Sequence, residues 1–194
     1  MAKRLSKSKP TWTDVKAKLA GFDHPALLSL VQNLYDANRD NQVFLHARFG
    51  LGKDALGPYR KTIDRWLWPD AFRGQDTSVS KAKQAISDYK KALGDPEGVG
   101  ELMVFYCERA AGFSRAVSHA DTAYFDALVR MFQQETTNIL AGNIQSGLLL
   151  WLDRVRNVCH GFGYGVGDDM DILLSEFVQS FSTGVLHGNR RRKG

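Results

Sequence analysis

Residues 80–93 read SKAKQAISDYKKAL and are followed at 94–98 by GDPEG. Ala82, Ala85, Ile86 and Tyr89 recur three and four positions apart, the repeat of one face of an α-helix. Ser80 stands where an N-cap belongs, and Gly94 with Pro96 supplies the stop. A half-buried strand would need strict alternation of apolar and polar side chains, which this stretch lacks.

The same reading extends in both directions. Upstream, Thr11 or Thr13 precedes a short helix carrying Val15 and Leu19. Asp23 and Pro25 open a second, with Leu27, Leu28, Val31, Leu34 and Tyr35 at helical spacing. Asn38 to Asn41 breaks it, and a third segment runs from Gln42 to Phe49. Gly50 to Gly57 is a loop. Pro58 then starts a helix that turns Tyr59, Ile63, Trp66 and Leu67 inward, and Pro69 ends it. Residues 70–79 form the longest connector.

Downstream, Leu102, Met103, Phe105, Tyr106 and Ala110 share a helix, and Asp121 caps another with Phe125, Leu128, Val129 and Phe132. Gly142-Asn143 interrupts, and Ile144 to Cys159 turns Leu148, Leu152 and Val155 inward. Gly161 to Gly167 is glycine-rich. Asp168 or Asp169 caps a last helix bearing Ile172, Leu173, Phe177, Val178 and Phe181. The expected fold is all-α: a single domain over 11–187 of about eight or nine helices, packed as successive antiparallel helical hairpins. Residues 1–10 and 188–194 are basic tails. The alternative division is a basic half, 11–94, and an acidic half, 95–187.

The run Leu27 to Tyr35, KAKQAISDYKKA at 81–92, GELMVFYCE at 100–108 and GYGVGDD at 163–169 occur in this order. Over about Thr11 to Phe181 the chain resembles a family of small uncharacterised all-helical bacterial proteins, a domain of unknown function. The resemblance implies an all-α fold in a bacterial cytoplasm and carries no activity and no catalytic residue.

The 194 residues are 43% hydrophobic and 24% charged, enough for a sizeable core and unlike a collagen or a disordered chain. Cys107 and Cys159 form no Cys-x-x-Cys pair, which points to a reducing compartment rather than a disulfide framework. MAKRLSKSKP lacks the apolar core of a secretory signal, and the longest apolar run spans 148–152. These features lead to the expectation of a soluble cytoplasmic protein with no membrane association.

Charge is unevenly laid out. Residues 1–47 carry seven Lys/Arg and four Asp/Glu, net +3; residues 48–94 carry ten and five, net +5. Residues 95–187 carry five and twelve, net −7. Opposed faces of this kind favour a charged protein partner, self-association, or an anionic polymer on one side. Tyr59, Arg60, Lys61, Arg65, Arg73, Lys81, Lys83, Lys90 and Lys91 interleave cations with aromatic rings, as a nucleic-acid surface does. The structural counterpart is a solvated helix face with arginine stems lying over core tryptophans.

Gly161 to Gly167 matches neither nucleotide-binding glycine motif and reads as a connector. Asp168, Asp169 and Asp171 are candidate ligands for a hard cation, set against their reading as capping acids. His24, His46, His119, His160 and His187 show no metalloprotease spacing, and Cys159 beside His160 reads as a core thiol. No cofactor motif and no convergent catalytic set is visible. The expected function is therefore that of a non-catalytic interaction or scaffold protein. The alternatives are sequence-nonspecific nucleic-acid binding through 58–91, and an enzyme of unrecognised type at the Gly161–Asp171 turn.

Overall fold

The computed structural model describes residues 9–70, 73–117, 121–141 and 147–190, with the backbone alone for 181–190. Among these residues there are nine helices and no strand, so the chain is all-α. They are α1 (Trp12–Leu19), α2 (His24–Ala37), α3 (Arg39–Arg48), α4 (Gly57–Leu67) and α5 (Val79–Leu93), then α6 (Pro96–Val117), α7 (Thr122–Leu140), α8 (Leu148–Cys159) and α9 (Val166–Arg190). No helix among the described residues is long and apolar enough to cross a membrane.

The chain divides into two compact units, Met1–Leu45 and His46–Gly194. In the first, local chemistry defines the helices well. The Asp14 carboxylate accepts the backbone N–H of Thr11 at 2.7 Å, half of a capping box. Asp23 accepts from the Ala26 N–H at 2.8 Å, with Pro25 in the first turn. Asn41 and Gln42 then donate to the carbonyls of Leu34 and Tyr35. That back-bonding, with Asn38 extended, starts α3 at Arg39 rather than Gln42. Yet neither α1 nor α2 buries a single residue.

The second unit holds the core, and α6 is its centre. It packs against α4, α5, α7 and α8, while α4 also meets α5, and α9 meets both α7 and α8. Successive pairs such as α4–α5, α6–α7 and α8–α9 do pack together. Because α4 and α5 lie against α6, the change of charge at Gly94 runs through the middle of one packed unit. Ile63, Leu67, Leu102, Leu128, Phe132, Leu152 and Met170 are fully inaccessible to solvent.

The α5–α6 joint is tight. Gly94, at φ 66°, closes α5 in the left-handed conformation, and Asp95 accepts from the N–H groups of Glu97 and Gly98 at the start of α6. Asp121 caps α7 by accepting from Ala123 and Tyr124.

Three expectations need correction. The cap of α5 is Ser78, not Ser80, because Ser78 Oγ accepts from Lys81 N–H and Val79 is already helical. Asp168 and Asp169 do not cap α9. Burial of Val166 and Met170 starts that helix at Val166 and leaves both acids inside the first turn, where they still face the positive end of the helix. Ile172 and Val178 are exposed, because only part of the α9 stripe meets α7 and α8. Gly142-Asn143 lies outside the described residues.

Candidate functional site

Glu97, Glu101, Val104, Phe105 and Glu108 fall on one stripe of α6, at spacings of four, three, one and three. α8 faces that stripe with Leu148 and Trp151, and α4 contributes Arg60. Together with Gly147 they enclose a cavity of about 580 Å³. Arg60 Nη2 donates to Glu101 Oε2 at 2.6 Å and so neutralises one carboxylate. Glu108 is half-buried, and burial pushes its pKa up, against the pull of Arg154, Arg109 and Arg60. Of these, Arg109 is engaged by Asp64 and lies 4.1 Å from the Trp68 ring centre, and Arg60 is engaged by Glu101; Glu108 makes no close ion pair among the described residues, with Arg154 acting on it only as the largest nearby positive charge. The sequence held a sign of this site in the Glu97, Glu101, Glu108 register. The facing wall on α8 is distant in the chain, and only folding brings it there.

The basic, aromatic segment is differently disposed from a row of open rings. Tyr59 lies in the core, its ring edge-on to Tyr89 at 5.3 Å. Trp66 is half-buried, with Arg65 and Lys81 at 4.5 and 3.8 Å from its centroid. Trp68 packs on Phe113 and against Gly112. Arg73 pairs with Asp70 and Lys91 with Asp88. Lys61, Lys81, Lys83 and Lys90 are exposed without an acidic partner among the described residues.

The glycine-rich turn is built as a connector. Gly163, Tyr164 and Gly165 all have positive φ, and Phe162 and Tyr164 lay their rings on Phe125 of α7 at 5.7 and 5.8 Å. A side chain at Gly167 would meet His160 Cα at 2.8 Å, which is why the turn can close so tightly onto α8. Here His160, Asp168 and Asp171 bring ligand-type atoms within 4.8 Å of one another; Asp169 is not among them. Asp171 is already engaged, by Arg156 at 3.2 Å and His160 at 3.3 Å. Cys159 is inaccessible and burial drives its thiol pKa up to about 12, so it packs as a protonated core thiol.

One buried group carries no signal of burial in the sequence. Glu135 on α7 has no exposed surface, and among the described residues neither carboxylate oxygen has a well-formed hydrogen bond, the nearby Asn138 amide being the one polar group that acts on it. Burial lifts its pKa to about 7, with Asn138 pulling the other way. The Asn138 amide is itself directed at Met103 Sδ, 3.3 Å away.

No family model, no curated protein and no solved structure matches the chain. The resemblance to a bacterial family rests on the sequence segments alone.

Proposed function

We propose that the chain is a non-catalytic helical interaction protein that associates with a second copy of itself through its N-terminal helices. The observation that carries this reading is the uncovered apolar surface of α1 and α2. Trp12, Val15, Phe22, Leu27, Leu28, Val31 and Leu34 are all exposed, Trp12 at 68% and Leu28 at 57%. Amphipathic helices of 8 and 14 residues gain most of their stability from a covered face. The exposed parts of these seven side chains together reach several hundred Å², approaching the roughly 800 Å² per partner of a standard interface. The charge layout favours a second copy as the occupant: residues 1–10, just ahead of α1, carry four Lys/Arg and no acid, and residues 95–187 are net −7, so the basic segment of one copy can meet the acidic helices of another.

Light scattering on the full chain after size-exclusion chromatography tests this. The expected mass at high protein concentration is a multiple of 21.7 kDa. Leu28→Glu combined with Val31→Glu should return it to the monomer mass while the helical circular dichroism is kept. A wild-type chain that stays monomeric over the whole concentration range rejects the reading.

A second reading, sequence-nonspecific nucleic-acid binding through 58–91, is favoured by Lys61, Lys83 and Lys90, exposed without an acidic partner among the described residues, and by Lys81, which is exposed over Trp66. It requires affinity for DNA or RNA that falls steeply as salt rises, since each neutralised phosphate releases counterions. Charge reversal at Lys61, Lys83 and Lys90 should weaken binding equally for all sequences. Absence of binding at low salt removes this reading.

A further inference from the structure

We propose that the cavity between α6 and α8 binds a small organic cation, an ammonium group carried on an aromatic or alkyl body. The cavity, about 580 Å³, falls in the size range of small-molecule sites. Its walls are Val104, Phe105, Leu148 and Trp151, which suit an apolar body, and the half-exposed Trp151 indole offers a π-face to a cation. Its charges are Glu97, Glu101, Glu108 and Arg60, and Arg60 is spent on Glu101.

The residues also exclude the neighbouring ligand classes. An anion would face Glu97 and Glu108, neither in an ion pair among the described residues, and one arginine already occupied by Glu101. A neutral apolar ligand would strip water from the half-buried Glu108 carboxylate, which makes no close ion pair among the described residues, and that is costly. A bare metal ion needs converging oxygens. Among the described residues no three carboxylate, imidazole or thiolate groups of this cavity bring ligand atoms together, and Glu101 is held by Arg60. An organic cation satisfies both demands, with its ammonium at Glu108 and its body on Phe105, Leu148 and Trp151.

Isothermal titration calorimetry of the full chain with three probes of one shape tests the assignment: phenethylammonium, 2-phenylethanol and phenylacetate. The cation should bind at least tenfold more tightly than the alcohol, and the carboxylate should not bind. Glu108→Gln is nearly isosteric and removes a half-buried charge, so the fold should persist; it should bring the cation down to the level of the alcohol. Trp151→Ala should weaken cation and alcohol together. Equal affinity for cation and alcohol would overturn the assignment. So would no binding of the cation, or a cation preference that survives Glu108→Gln.

Discussion

Replacing Glu135 by glutamine should leave stability at pH 4 nearly unchanged and raise it by about 3 kcal/mol at pH 8. The wild-type carboxyl has no solvent exposure and no well-formed hydrogen bond among the described residues, and burial lifts its pKa from 4.5 to about 7 against the opposing pull of Asn138. Between those two values the folded chain binds more protons at this site than the unfolded chain does. Stability therefore falls as pH rises across that window, and above about pH 7 the full cost of burying the charge is present. Glutamine has almost the shape of the protonated acid and does not titrate, so the variant should lose this fall. Urea denaturation at pH 4, 5.5 and 8 measures it. Parallel stability curves for the two proteins would show that Glu135 finds a counter-charge or water in solution.

The second large effect is expected at the α5–α6 joint. A methyl group at Gly98 would collide with the Tyr89 hydroxyl, lie 2.6 Å from Tyr89 Cζ and 2.7 Å from Asp95 Oδ2. Tyr89 is 2% exposed and donates to Asp95 Oδ2 at 3.0 Å, the same oxygen that accepts the Gly98 N–H. Gly98→Ala should therefore cost overpacking, about 1–3 kcal/mol, and disturb a hydrogen bond to a charged acceptor, about 1.5–3 kcal/mol. A total near 3 kcal/mol corresponds to a fall of roughly 6–12 °C in melting temperature for a chain of this size. Tyr89→Phe removes the hydroxyl that the methyl meets. The double variant should therefore be less destabilised than the two single losses combined. Strict additivity would mean that the joint relaxes elsewhere.

These sites show how far the sequence can be read. Caps are local, so Asp23 and Asp121 were legible from residue type and position, while Ser78 and Ser80 differ only in which fits the path of the chain before α5. At α9 the local signal lost to packing: Val166 and Met170 are drawn into the core, and the aspartates move from cap to first turn. The stripe of α2 shows the other limit. Its spacing specifies a helix, but whether Leu28 and Val31 are covered depends on what lies against them. The cavity was half legible. Glu97, Glu101 and Glu108 share a face by counting, whereas Trp151 joins them only because α8 folds back onto α6. Glu135 stands between Gln134 and Thr136, in a polar run that carries no local mark of burial.

The central position of α6 has a consequence for how the molecule comes apart. Four helices rest on it, so none of its inward amides can reach solvent by fraying of a single neighbour. Their hydrogen exchange should proceed only through opening of the whole second unit, at the slowest rate in the chain. The amides of α1 and α2, with no buried side chain to hold them, should exchange by local opening instead, and proteases should enter there first. Persistence in this chain is thus concentrated on one helix, while α1 and α2 hold no buried side chain that would oppose their local opening.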